Sequence, residues 1–325
     1  MSSDKLPTAG RVGHLTPDEE KVLAQFKEEL AAEGYYDPTK HDDHTLLRFL
    51  RARKFQLPAA KKMWTDFINW RKEFGTDTIL HDFDFPEYPV VQKYYPRFYH
   101  KTDKLGRPIY IEQLGNVDPK QLFQVTTADR MLKNHVYGYE KLVHYRLPAC
   151  SKKFNTHIEQ SCTILDLKGV YLSSFNSVYG MVKQVSSIAQ NYYPEMLGKM
   201  YIINAPMLFT ATWSMVKMLL DEVTVSKINI LGGSYKNKLL ETIDEKDLPK
   251  FLGGKCDCPG GCDVSDVGPW NDGSVEGYPI AEYEKRLAFS NVGVGQWNNF
   301  VAADYGKRVF NGPDPPYDDT LAILL

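Results

Sequence analysis

The sequence predicts an α/β protein built on a mostly parallel sheet with helical crossovers, preceded by a small helical unit. Three observations carry this. Residues 15–75 show apolar stripes at helical spacing only. The middle of the chain alternates short β-like runs with longer helical patterns. Beyond Gly254 periodicity fades and Gly and Pro accumulate.

Residues 1–14 carry Ser, Pro and Gly without periodicity and are expected to be disordered. Thr16-Pro17-Asp18-Glu19 marks a helix start: Thr16 caps, Pro17 suits the first helical position and Glu19 completes a capping box. Val22, Leu23, Phe26 and Leu30 follow on one face, up to Gly34. A second helix over 43–53 turns Leu46, Leu47 and Leu50 inward and sends Arg48, Arg51 and Arg53 elsewhere. Pro58 opens a third, striped by Met63, Trp64, Phe67, Ile68 and Trp70. The helical unit is taken as 15–87. Strands are expected at 108–114, 161–167, 200–204 and 227–231, with helices near 127–147, 174–191, 206–221 and 235–243 between them. Asp103-Lys104-Leu105-Gly106 reads as a turn joining a strand that holds Tyr99 to one that holds Ile109. The α/β domain is placed at 88–255 and an irregular tail at 256–325.

Composition excludes several classes. The 39 Lys+Arg against 41 Asp+Glu, a net charge of −2, argue against a nucleic-acid binder. No apolar run is long enough to span a bilayer. The polar start MSSDKLPTAGR lacks an apolar leader core, so secretion is not expected. Five cysteines, an odd number, fit a reducing compartment, hence a cytoplasmic protein. The chain has no G-x-S-x-G elbow, phosphate-binding loop or H-E-x-x-H helix, so no enzyme is expected. Asp82 and Asp84 read as a solvated loop, as do His41 and His44. Cys256, Cys258 and Cys262 have metal-like spacing, but no fourth Cys or His lies near them in sequence, so no metal site is expected.

Two features resist an ordinary core reading. Residues 206–220 form a helix apolar nearly all round, with Phe209, Trp213, Met215 and Val216 among its residues; such a helix is either fully buried or meets lipid. The strand at 161–166 puts Ser161, Thr163 and Leu165 on one face and Cys162 and Ile164 on the other. Buried hydroxyls there need a polar ligand or water.

These residues sit among motifs that resemble a known family. Residues 46–55 (LLRFLRARKF) resemble the N-terminal helical signature of CRAL-TRIO proteins. YRLPACS at 145–151, NYYPE at 191–195, IINAP at 202–206, TVSKI at 224–228 and SDVGPW at 265–270 follow in the family's order. Together they resemble the Sec-fourteen-like branch, the fungal phosphatidylinositol/phosphatidylcholine transfer type, from about residue 16 to 270. The resemblance implies a CRAL-TRIO lipid-binding domain whose sheet floors an apolar cavity, closed by a helical gate at 206–220. It implies a phosphatidylinositol site of Arg53, Thr224 and Lys227, with Glu195 orienting Lys227. It implies phosphatidylcholine contacts from Ser161 and Thr163, with Tyr99 and Tyr110 near the choline. Gly254 takes the place of a structurally sensitive glycine, and Met196 stands where the family usually has Arg. No cofactor is implied beyond the bound phospholipid as cargo. Partners implied are the two phospholipids, a transient membrane surface on Golgi and endosomes, and a phosphoinositide kinase served during Golgi secretory transport. A CRAL-TRIO carrier of another hydrophobe, such as squalene, a sterol or tocopherol, is the alternative.

The chemistry suits these residues. Arg and Lys bind a phosphate by charge-assisted hydrogen bonds. A quaternary ammonium makes none through its nitrogen, and tyrosine faces attract it instead. Read as extended chain, 224–227 would put Thr224 and Lys227 on opposite sides, so their joint use requires a bend. A two-chain lipid exposes roughly 30 methylenes in water at about 0.8 kcal/mol each, on the order of 24 kcal/mol, so a carrier needs an apolar cavity.

Overall fold

A computed structural model describes residues 5–170, 175–207 and 209–279; the side chains of 175–182 and 210–212 lie outside the description. The helical unit comprises α1 (Pro17–Ala32), α2 (Asp43–Ala52) and α3 (Leu57–Phe74). At the start of α1 the Thr16 hydroxyl accepts from the Glu19 amide and the Glu19 carboxylate accepts from the Thr16 amide, which is the expected capping box. Leu23, Phe26, Leu30, Leu46, Leu47, Leu50, Met63, Trp64 and Phe67 form its core. Trp70 packs against that core and stacks on Tyr192 at 4.1 Å, joining the unit to the rest of the molecule.

Short helices α4 (Ile79–Asp82) and α5 (Tyr88–Tyr94) lead to β1 (Arg97–Thr102) and β2 (Pro108–Gln113). The turn between them closes as predicted. Asp103 Oδ1 accepts from the amides of Leu105 and Arg107, both at 3.0 Å, and Oδ2 from Arg107 Nε at 2.6 Å. Next come α6 (Pro119–Leu122), α7 (Ala128–Lys141), a π-helical turn (Leu142–Arg146) and α8 (Leu147–Phe154). The single helix expected near 127–147 therefore widens and continues. Then follow β3 (Ser161–Asp166), α9 (Phe175–Tyr192), β4 (Leu197–Ile203), α10 (Phe209–Lys217), α11 (Glu222–Ser226), β5 (Ile228–Ile230) and α12 (Lys236–Thr242).

The five strands lie in the order β1-β2-β3-β4-β5, with β1 antiparallel to β2 and all other pairs parallel. Alternation divides their side chains cleanly. Phe98, Ile109, Ile111, Cys162, Ile164, Tyr201 and Ile203 face one layer, where Leu239 of α12 and the following Ile243 close over them with Leu248 and Leu252. The other face is left for a cavity.

One region departs from expectation. Residues 5–14, predicted to be disordered, have no helix or strand yet are held in place. Arg51 Nη1 donates to the Gly10 carbonyl at 3.0 Å, and the Glu159 carboxylate accepts from Arg11 Nε (2.7 Å) and Arg51 Nη2 (2.6 Å). The described part of the tail, to residue 279, wraps the domain and adds core: Trp270 is buried and its indole donates to the Asp266 carbonyl at 2.7 Å. A Cβ on Gly254 would stand 1.9 Å from the Leu248 carbonyl oxygen, so this position tolerates no side chain.

Candidate functional site

The free face of the sheet floors a cavity of about 1580 Å³, above the roughly 300–1,000 Å³ typical of small-molecule pockets. Strand register builds the floor in two transverse rows. Tyr99, Tyr110, Thr163 and Met200 form one, and Arg97, Glu112, Leu165 and Ile202 the other. Ser161 lies one step along β3 on the same face, so the predicted alternation of this strand holds. Met131, His135 and Tyr139 of α7, Ala189 of α9, and Phe209 and Val216 of α10 supply walls.

Every predicted headgroup residue lines this one cavity: Arg53, Glu195, Thr224, Lys227, Ser161, Thr163, Tyr99 and Tyr110. Arg53 follows the last residue of α2 and reaches the rim from the helical unit. Lys227 Nζ lies 3.5 Å from Glu195 Oε2, the expected pairing. Glu195 adopts φ +60°, a strained conformation for a residue with a Cβ. The extended reading of 224–227 is corrected. Asp221 caps α11 by accepting from the Thr224 amide (2.8 Å) and hydroxyl (2.6 Å). A helical turn then spaces Thr224 and Lys227 by three residues on the cavity side.

On the floor, the Ser161 hydroxyl donates to the Met196 carbonyl at 3.4 Å, and the Ser161 amide to the same oxygen at 2.8 Å. Met196 is itself buried and lines the cavity, so the position is an apolar wall here. The Tyr99 and Tyr110 rings lie 5.1 Å apart, tilted by 49°. Arg146 covers one face of Tyr99 with its guanidinium carbon 4.2 Å from the ring centre. Burial pushes the Tyr99 phenol up to about 12 and that of Tyr110 well above its usual value, so both rings are neutral.

Sequence reasoning missed the polar groups beside these tyrosines. Tyr95 and Tyr110 both donate to the Glu112 carboxylate, the latter at 2.9 Å. Arg97 Nη2 and His135 Nε2 are buried without a hydrogen-bond partner. Burial pulls the His135 imidazole down to about 3, so it stays neutral. Buried orphans of this kind suit a polar ligand group or water. Period-two spacing was the available signal, since Arg97 and Glu112 alternate with Tyr99 and Tyr110.

The helix at 206–220 is shorter than predicted and neither fully buried nor uniform. Phe209, Val216 and the following Leu220 line the cavity. Trp213 is half-buried away from the lining, and Met215 is 39% exposed. Met207 and Met218 are exposed by 97% and 77%. The reason is amphipathic placement, with one face to the cavity and methionines outward. No described helix is long and apolar enough to cross a membrane.

Of the candidates dismissed as solvated loops, Asp84 lines this cavity, whereas Asp82, His41 and His44 do not. His41 accepts from the Asp37 amide at 3.1 Å and packs edge-on against Trp64, while His44 stacks on His157 at 3.5 Å. The cysteine cluster requires a correction. No fourth ligand was visible in sequence, but β1 brings His100 to Cys256, Cys258 and Cys262, with all four donor atoms within 4.8 Å of one another.

A closed back layer, an open floor that mixes apolar and polar side chains, and cations among the lining residues fit a protein that encloses an amphiphilic ligand. The chain belongs to the CRAL/TRIO family: the CRAL/TRIO domain matches residues 92–254 and the CRAL/TRIO N-terminal domain residues 21–66. It is 52% identical over 263 residues to the Sec14 cytosolic factor of Schizosaccharomyces pombe, covering 81% of this chain and 91% of that one. The SEC14 cytosolic factor of Kluyveromyces lactis is 52% identical over 284 residues, 86% of this chain and 93% of that protein. The phosphatidylinositol/phosphatidylcholine transfer protein SFH4 of Arabidopsis thaliana is 48% identical over 261 residues, 79% of this chain but 43% of that longer protein. The crystal structure of Sfh5 shares the fold with a TM-score of 0.54 at 21% identity, over 68% of this chain and 82% of that one.

Proposed function

We propose that this chain transfers phosphatidylinositol and phosphatidylcholine, one molecule at a time, between membrane surfaces. One observation carries the reading: a single cavity of about 1580 Å³ is lined both by Arg53, Thr224, Lys227 and Glu195 and by Ser161, Thr163, Tyr99 and Tyr110. The first group suits the phosphoinositol phosphate, with Glu195 compensating Lys227 when that phosphate is absent. The second suits the phosphocholine group, with hydroxyls for oxygen and tyrosine faces for the ammonium. A wholly apolar cargo such as squalene would leave both groups without partners, which counts against the alternative carrier.

The process needs a gate and no bond chemistry. The Ser161 hydroxyl donates to a carbonyl rather than to a base, so it is poorly arranged as a nucleophile. The outward Met207, Met215 and Met218 of the α10 region suit brief contact with a bilayer while Phe209 and Val216 close the cavity in water. The near-neutral charge fits transient docking. In this reading the protein is cytoplasmic and visits Golgi and endosomal membranes. It presents phosphatidylinositol to a phosphoinositide kinase in support of secretory transport.

A vesicle-to-vesicle transfer assay with each phospholipid tests the assignment. Arg53→Ala and Lys227→Ala are expected to lower phosphatidylinositol transfer by about tenfold or more, the loss of one charge-assisted contact, while phosphatidylcholine transfer persists. Equal loss of both activities would overturn the division into two headgroup sites.

A further inference from the structure

The cysteines at the start of the tail take no part in the cavity. They meet a histidine that the sheet sends to the opposite side. Tyr99 faces the cavity, and alternation along β1 turns His100 away from it into full burial. There His100 Nε2 lies 3.3 Å from Cys256 Sγ, and Cys256 Sγ lies 3.8 Å from Cys258 Sγ. Cys256 and Cys262 are buried and Cys258 is half-buried.

We propose that this protein holds a structural zinc ion on His100 Nε2 and the thiolates of Cys256, Cys258 and Cys262. Tetrahedral zinc with Zn–S near 2.3 Å and Zn–N near 2.0–2.1 Å sets its donors about 3.5–3.8 Å apart; the two pairs given above stand at 3.3 and 3.8 Å, and all four donor atoms lie within 4.8 Å of one another. A disulfide requires its sulfurs at about 2.05 Å, and all five cysteines are free. Three thiolates and an imidazole select zinc over magnesium or calcium. Four protein ligands leave no open position, so the site is structural.

The surroundings are those of a built site. Ser265 Oγ donates to the Cys262 carbonyl at 3.1 Å and lies 3.4 Å from His100 Nδ1. Its hydroxyl proton thus committed, Ser265 accepts from Nδ1–H, which leaves the Nε2 lone pair for the metal. The loop between the second and third cysteines turns through Gly260 and Gly261 at φ +79° and +113°, and the Gly261 amide donates to the Cys258 carbonyl at 2.9 Å. Three thiolates on one dication leave a net negative charge, and the Lys101 ammonium, paired with Asp247 at 3.0 Å, also reaches Cys256. The ion would clip the edge strand β1 to the chain leaving the domain. That chain carries Asp266, whose carboxylate accepts from Arg146 Nη2 at 3.0 and 3.1 Å, the guanidinium that covers Tyr99. Closing a 156-residue separation in sequence makes the clip effective.

The test uses the full chain without a histidine tag, purified under reducing conditions from zinc-supplemented medium. Elemental analysis is expected to find one zinc per chain, released when a mercurial titrates the thiols. Exchange with cobalt should give the thiolate-to-metal charge-transfer band and intense ligand-field bands of a tetrahedral site. His100→Ala and Cys262→Ser should lower metal content, and chelation of the wild-type protein should lower Tm by several degrees. Because loss of a ligand can block folding of a variant, the wild-type result decides. Folded wild-type protein that holds no metal and takes up neither zinc nor cobalt overturns the site. Stoichiometric iron in place of zinc overturns the choice of ion. A Cys256–Cys258 disulfide in the native protein overturns both.

Discussion

The two faces of the sheet are made by alternate residues of the same strands and have opposite fates. Behind it, Ile109, Ile111, Cys162, Ile164, Tyr201 and Ile203 are closed over by α12 and exclude solvent. In front, Tyr110, Glu112, Ser161, Thr163, Met200 and Ile202 floor an open volume. A face that closes on protein contributes stability. A face that leaves buried polar groups such as Arg97 Nη2 unmatched keeps them for something else to satisfy.

Neighbouring residues of β3 give the strongest way to break this contrast. Ile164→Ala is expected to destabilise by about 2–5 kcal/mol, because it removes packed atoms and leaves a void. Leu165→Ala, on the cavity side, should cost under about 1 kcal/mol, since its outer surface already faces open volume. Denaturant unfolding of both measures the difference, and equal costs would show that the front face is packed like the back.

A second prediction contrasts the orphaned groups of the cavity with a saturated buried one. Glu140 accepts from both Arg71 nitrogens (2.9 and 3.1 Å) and from Tyr193 (2.6 Å), tying α3 to the α/β domain. Burial alone would raise this carboxyl, but hydrogen bonds from His144, Arg71 and Tyr193 outweigh it and hold the group at about 2, against 4.5 unperturbed. A depressed pKa stabilises the fold above the unfolded value and loses that contribution as pH falls from about 4.5 through 2. The loss is on the order of 3 kcal/mol. Glu140→Gln should flatten the acid limb of the stability curve, and an unchanged slope would contradict the assignment.

The smallest stability effect belongs to the floor hydroxyls. Ser161→Ala and Thr163→Ala should alter unfolding by less than about 1 kcal/mol. Their transfer phenotype is expected to mirror that of Arg53→Ala, with phosphatidylcholine transfer falling and phosphatidylinositol transfer retained. Loss of stability with no selective loss of transfer would make them ordinary core residues.

Much of this was legible in the sequence because it rests on local periodicity. The alternation of β3, the capping box at Thr16 and the α12 pattern are written in residues a few positions apart. Features that depend on packing were not. The helical turn at Thr224 and Lys227 follows from an Asp221 cap, which a strand-like pattern of Thr and Val obscured. His100 lies 156 residues from Cys256, so only the fold makes it a neighbour. Residues 5–14 look disordered by composition, and Arg51 and Glu159 hold them. Arg97 and Glu112 were within reach of the same period-two reasoning that found Tyr99 and Tyr110.

The central claim is that one cavity serves two headgroups and holds a single lipid. Native mass spectrometry of the protein after exchange against vesicles containing both phospholipids measures this directly. One bound phospholipid per chain is expected, divided between phosphatidylinositol and phosphatidylcholine in proportions that follow the vesicle composition. Two lipids on one chain, or no phospholipid on any, would contradict it.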